Sequence, residues 1–335
     1  MQQRARPFLL LLFLALLQVP GHTQKRDAAS AQGVALLWKD PGDIKSRNLF
    51  YGRGGKEHQP QPPVKFLKKD KHGHTPKFDV EDSHGKKWRA KVGAEAQPET
   101  AAARLLWAVG YFSNEDYFID DLQVSDLPAR IGRGGDEFVI SPGHIRGARL
   151  QRHPGGRKRE QKWDWKHNPF VGTREFNGLR VMMVLISNWD LKQDNNAIFD
   201  DKADSGGQEY EVSDLGSSFG ASGRRFTDKG SKNNLNAYRK ARFISTITPD
   251  HVDFDFPRRP PFLFMPALPF YIHEVRLRWI GNHVPRADAK WIGGLLAQLS
   301  PEQIRDAFRA AGYSPEQVEG FSHVVEARIA ELNRL

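Results

Sequence analysis

The apolar run LRVMMVLIS, residues 179–187, opens directly onto NWDLKQDNNAIFDD, residues 188–201. Asn and Asp bond their own backbone and tolerate unusual dihedrals, so such a loop forms a plain turn readily. The same residue types at fixed spacing also serve as a loop that holds a base and a metal ligand. Asp190 and Asn195 stand five apart with Lys192 between them. Nineteen residues beyond Asn195, a short strand-like piece ends on VSDLG, with Asp214 followed by Gly216. Gly216 would give the backbone freedom there. An apolar element before one acidic loop, and a second strand ending on another aspartate, restrict the chain more than any compositional figure.

Around these strings the chain divides. VKFLKKD (64–70), PKFDVED (76–82) and KKWRAKVG (86–93) read as three short strands separated by the turn-like KHGHT and SHG. They predict an antiparallel meander. QPETAAARLLWAVGY (97–111) then predicts a helix, with Pro98 suited to its first turn and Gly110 to its end. Residues 117–150 hold mixed short strands, and 155–170 form a basic loop with interspersed aromatics, more often packed than used for base stacking. NGLRVMMVLISN (177–188) is apolar enough for a buried helix or a buried strand. At the C-terminus LSPEQIRDAFRAAG and YSPEQVEGFSHVVEARIAEL each begin Ser-Pro-Glu-Gln. Ser300 and Ser314 are the expected N-caps, with Gln303 and Gln317 completing capping boxes. Ile304, Ala307, Phe308 and Ala311 then share an apolar face.

Phosphoryl transfer requires a carboxylate near an acceptor hydroxyl, a cation near the transferred phosphate and oxygen ligands for Mg²⁺. Asp190, Lys192, Asn195 and Asp214 offer that set, amide and carboxylate oxygens suiting a hard cation. A lysine must also reach the α- and β-phosphates, and Lys91 lies in the third strand of the meander. An acidic residue on the next helix must hold that lysine; Glu99 is available, and Glu95 could replace it. These pieces occur in the order of a protein-kinase-like fold.

DLKQDN resembles the DLKxxN catalytic loop of protein kinases, and DLG resembles their DFG. DLGSSFG is also similar to the D-F-G-x-x-L-G turn of phosphoinositide 3- and 4-kinases, and the compact first lobe is similar to that of HipA-type kinases. The resemblance spans about residues 64–240. It implies an α+β, two-lobed protein-kinase-like fold with a small β-rich N-terminal lobe and a larger, mainly helical C-terminal lobe. It further implies Asp190 as catalytic base, Lys192 as a counter-charge to the γ-phosphate, and Asn195 and Asp214 as Mg²⁺ ligands, with Mn²⁺ an alternative. Lys91 and Glu99 would be the ion pair that positions the phosphates of ATP. The chain departs from the pattern in three places. Asn188-Trp189 replace His-Arg, Lys192 stands where phosphoinositide kinases have histidine, and no G-x-G-x-x-G joins the first two strands.

The N-terminus, MQQRARPFLLLLFLALLQVPGHTQ, has Arg4 and Arg6 before ten apolar residues, Phe8 to Leu17, and Pro20-Gly21 after them. Ten is well short of the ~20 residues needed to span a bilayer, so the segment reads as a signal peptide cleaved after Gly21, the alternative being an uncleaved membrane anchor. The expected layout is signal peptide 1–21, Gly/Pro-rich lead-in 22–63, small lobe 64–150 and C-terminal lobe 151–335. Export, periplasmic or secreted, follows, with no membrane span after cleavage. No cysteine occurs in the 335 residues, so no disulfide, lipobox or thiolate metal site is available. The formal net charge of +10 falls to +8 with the leader removed, which favours anionic partners. No RNA- or DNA-binding motif accompanies that charge, and nucleic acid is not expected as a partner. His72, His74 and His84 adjoin glycines in turns and read as turn residues. A nucleotide and a hydroxyl-bearing substrate are expected, the latter a protein, lipid headgroup or small molecule. The alternatives are a non-catalytic nucleotide- or partner-binding pseudokinase and a basic envelope protein that binds anionic polymers.

Overall fold

The computed structural model describes residues 33–335, apart from 71, 72, 74, 154–156, 202–205, 222–229 and 257–276. The expected leader, His72 and His74 lie outside the described residues. Residues 33–335 form one unit. It begins with β1 (Ala35–Leu36) and then a mostly irregular lead-in, whose Ile44 and Leu49 are buried in the larger of two apolar cores.

The meander forms as expected: β2 (Val64–Asp70), β3 (Lys77–Glu81) and β4 (Lys87–Val92) pair antiparallel in sequence. α1 (Ala96–Ala108) follows, then β5 (Asp116–Ser125), β6 (Val139–Ser141) and β7 (His144–Arg152). β7 pairs with both β5 and β4, and β5 meets β2 in parallel, so five strands close on themselves with β6 at the margin. Side chains alternate across a strand. Phe78 and Val80, Trp88, Ala90 and Val92, and Ala148 and Leu150 therefore fill the interior as the smaller core. Lys77, Lys91 and Arg149 face the other way. α1 ends at Gly110, whose φ of +96° suits glycine and whose absent Cβ would stand 2.2 Å from the Lys39 carbonyl.

The second half is built on β8 (Arg157–Gln161), α2 (Arg174–Leu185), β9 (Asn196–Asp201) and β10 (Gly207–Val212). The apolar run is a helix, capped by the Thr173 hydroxyl accepting from the Phe176 N–H. Trp163 and Trp165 of the basic loop are buried in the larger core and are not presented for stacking. After α3 (Leu235–Lys240) come β11 (Ile244–Ile247), β12 (His251–Phe254) and β13 (Val284–Pro285), followed by α4 (Arg286–Leu296), α5 (Pro301–Arg309) and α6 (Pro315–Asn333). Both SPEQ strings form complete capping boxes. Ile304, Ala307, Phe308 and Ala311 are all buried, and the Gln303 amide also donates to the Ile44 and Arg47 carbonyls. The larger core joins α1 and α2 to α4, α5 and α6. The result is an α+β arrangement with two apolar cores, a small β-rich part followed by a larger, mainly helical one. Among the described residues no helix is long and apolar enough to cross a membrane.

Candidate active site

The hairpin register explains why two motifs far apart in sequence meet. β9 and β10 pair antiparallel with Asn196 opposite Val212, which sets Asn195 opposite Ser213. The Asn195 carbonyl accepts from the N–H groups of Ser213 at 2.8 Å and Asp214 at 3.2 Å, and from the Ser213 hydroxyl at 3.1 Å. The end of the expected catalytic loop and the start of the DLG segment are thus joined directly.

Within the loop, Asn195 Nδ2 donates to the Asp190 carbonyl at 2.6 Å, and among the described residues Asn195 Oδ1 has no donor. Lys192 Nζ lies 2.9 Å from Asp190 Oδ1, so the two predicted catalytic side chains form a pair. The replaced His-Arg has a local substitute. The Asn188 side-chain carbonyl accepts from the Asp190 N–H at 3.2 Å, and buried Trp189 donates to the Ser231 carbonyl at 2.9 Å. Arg328 of α6 adds a third support. Its guanidinium donates to the Leu185 carbonyl at 2.7 Å and the Ser187 hydroxyl at 3.0 Å, capping the end of α2 where the helix dipole favours a cation. Asn196 starts β9, is buried, and donates to the Trp163 carbonyl.

On the other side of the site, Lys77, Lys91 and Arg149 are register partners across β3, β4 and β7. Like charges directly opposite one another destabilise a sheet unless anions separate them. The anions are present. Lys91, 0% exposed, lies 2.7 Å from Glu99, 2.8 Å from Glu95 and 3.2 Å from Asp214. Arg149, also buried, lies 3.2 Å from Glu99 and 2.9 Å from Asp116. Glu95 is bound in turn by Lys232 at 2.6 Å and by the Thr75 hydroxyl at 2.9 Å. The expected Lys91–Glu99 pair is formed, and Glu95 adds to it rather than replacing it.

Burial works against the Lys91 charge, and Asp214, Glu99 and Glu95 overturn that, holding its pKa above the ordinary lysine value. Burial would likewise raise Glu95 and Asp214. Lys91 with Lys232 holds Glu95 well below the usual carboxylate range, and Lys91 with Lys77 and the Gly216 N–H holds Asp214 below it. Lys77 differs: burial and then Lys91 push its pKa down. Among the described residues no carboxylate lies within ion-pair distance of it. It is the open end of the cationic row.

Lys77 and Arg149 escaped the sequence reading, since their relation to Lys91 depends on strand pairing; period-2 spacing on β3 and β7 is the signal that could have found them. Lys232 escaped that reading too, because its pair with Glu95 spans 137 positions. Gly216 is required for a different reason from the one expected. Its φ is not left-handed, but a Cβ there would stand 2.7 Å from the Glu95 Cβ. A cavity of about 260 Å³ lined by Arg47, Arg53, Trp107, Tyr111 and Phe112 shares no residue with this site.

No family model and no curated protein matches the chain. Among the solved structures it is similar to are three of kinases. A Helicobacter pylori proinflammatory kinase, CtkA, is 9% identical, with a TM-score of 0.44 over 81% of this chain and 95% of that one. The Golgi casein kinase is 12% identical, with a TM-score of 0.29 over 80% of this chain and 73% of that one. The same kinase with Mn and ADP bound is 14% identical, with a TM-score of 0.28 over the same shares.

Proposed function

We propose that the chain is an exported, atypical phosphotransferase that moves the γ-phosphoryl group of ATP to an acceptor hydroxyl. One observation carries the reading: a fully buried lysine that meets Glu99 of α1 and Asp214 of the DLG segment, with Asp214 tied to the Asp190–Asn195 loop. A salt bridge placed only for stability has no need to gather three strands, a helix and two loops at one cation.

Lys91 would hold the α- and β-phosphates, and Lys77, with no carboxylate within ion-pair distance among the described residues, would take another phosphate oxygen. Asn195 Oδ1 and Asp214 Oδ2 have no hydrogen-bond donor among the described residues, and as hard oxygens they fit Mg²⁺ or Mn²⁺. A metal ion there would supply charge neutralisation at the phosphates. Asp190 would accept the proton of the acceptor hydroxyl as its oxygen bonds to the γ-phosphorus. The bond to the bridging oxygen breaks, and ADP leaves. Lys192, paired with Asp190, would turn toward the charge that develops on the transferred group. Positioning and electrostatics would supply most of the rate. The leader at 1–21 supports export, and the acceptor belongs to a protein, a lipid headgroup or a small molecule.

A second reading, nucleotide binding without transfer, is favoured by Glu95. With Lys232 it occupies a side of Lys91 that a phosphate would otherwise approach. The first test is calorimetric titration of the chain from His22 onward with ATP, with and without Mg²⁺, beside Asp214→Asn. Mg²⁺-dependent heat that the variant loses is expected. No heat at millimolar ATP in either condition removes the ATP-dependent reading.

A further inference from the structure

Two segments thirty residues apart converge at the margin of the small sheet β11–β12–β13, which shares no residue with the active site. β12 and β13 pair antiparallel with His251 opposite Pro285 and Val252 opposite Val284. That register brings His283, just before β13, beside Asp253. The His251 and His283 rings stack 4.6 Å apart at 19°, and the His283 N–H donates to Asp253 Oδ1 at 2.7 Å. One donor atom from each of the three residues lies within 4.8 Å of the others.

The hydrogen bonds around His251 set its tautomer. Thr248 Oγ lies 2.9 Å from the His251 carbonyl, 3.0 Å from the His251 backbone N–H and 3.0 Å from His251 Nδ1. A hydroxyl has one proton and two lone pairs. All three contacts are satisfied when it donates to the carbonyl and accepts from the N–H and from Nδ1–H. Nε2 then keeps its lone pair. An imidazole whose other nitrogen is fixed by a hydroxyl in this way is oriented as metal-binding histidines are. Asp253 Oδ2 and both Nε2 atoms have no hydrogen-bond partner among the described residues. His283 also holds a φ of +49°, a conformation costly for a residue with a β-carbon and one that a bound ligand would offset.

We propose that His251, Asp253 and His283 bind one first-row divalent metal ion, Zn²⁺ the best fit, which ties β12 to the residue that precedes β13. Two imidazoles and a carboxylate are borderline nitrogen and oxygen donors of the kind Zn²⁺ prefers. Tetrahedral coordination at about 2.0–2.2 Å sets donors about 3.4 Å apart. The set, within 4.8 Å, must therefore close by up to about 1.4 Å. The His283 side chain, 77% exposed, is free to turn that far, and water would fill the fourth position.

The test is titration of the metal-stripped full chain with Co²⁺, followed by its visible absorption, and with Zn²⁺, followed by thermal melting. Asp214→Asn serves as the control that removes any ion held in the active site. One tight equivalent should survive Asp214→Asn, give the absorption of tetrahedral Co²⁺ and raise the melting temperature with Zn²⁺. His283→Gly relaxes the left-handed backbone while deleting a ligand. It should melt no lower than the parent without metal, yet lose that equivalent and the Zn²⁺ shift, and His251→Gln should lose the same equivalent. Absence of saturable binding overturns the proposal. So does an equivalent retained by both His283→Gly and His251→Gln.

Discussion

Replacing Glu99 by Gln tests the charged network at its centre. Glu99, 2% exposed, is a carboxylate that buried Lys91 and buried Arg149 share, at 2.7 Å and 3.2 Å. Glutamine keeps the volume but removes the negative charge. Lys91 would retain Glu95 and Asp214, and Arg149 would retain Asp116 alone. Removing one partner of a buried ion pair costs about 3–5 kcal/mol, because the remaining charge loses its compensation. Against a native stability of roughly 5–15 kcal/mol that is a large fraction. At about 2–4 °C per kcal/mol for chains of 150 residues or more, the melting temperature should fall on the order of 10 °C. Urea unfolding measures the change directly, and the midpoint should drop with the slope unchanged. A double-mutant cycle with Lys91→Met isolates the pair, for which a coupling of about 1–3 kcal/mol is expected. A loss under about 1 kcal/mol for Glu99→Gln, with no coupling to Lys91, would refute the account of Glu99 as the bridging anion.

Three further outcomes are expected. Glu95 is held well below its unfolded value of 4.5, so its contribution is complete above pH 4.5 and lost as pH falls through its folded pKa. The parent should therefore lose more stability than Glu95→Gln between pH 4.5 and 2; parallel urea midpoints across that range would contradict this. Ser314→Ala removes the hydroxyl that caps α6 and should cost about 1 kcal/mol in the same assay. Asp214→Asn should abolish Mg²⁺-dependent ATP heat while leaving the fold intact by circular dichroism.

What the sequence disclosed was local. The meander, α1 and both capping boxes depend on neighbours within a few residues, and each formed close to its expected boundaries. LRVMMVLIS was ambiguous because apolar residues on every side carry neither a period of 2 nor of 3.6. Lys91 and Glu99 were legible since strand, turn and helix follow one another within thirteen residues. The anions and cations around them were not. Arg149 reaches Lys91 through the β4–β7 pairing, and Lys232 reaches Glu95 across 137 positions. Arg328 supports the loop from 141 positions away, which no local pattern encodes. Gly216 shows the same limit: its need for space comes from Glu95, not from its own backbone.

The most direct measurement is γ-phosphoryl turnover. The chain from His22 onward is incubated with γ-labelled ATP and Mg²⁺ or Mn²⁺, beside Asp190→Asn, and label is followed into protein and into free phosphate. The account predicts transfer or hydrolysis by the parent and a fall of about 10²–10⁴-fold in the variant, with ATP binding retained. Bound ATP whose γ-phosphoryl group never moves, with either ion, would contradict it and leave a protein that holds nucleotide without using it.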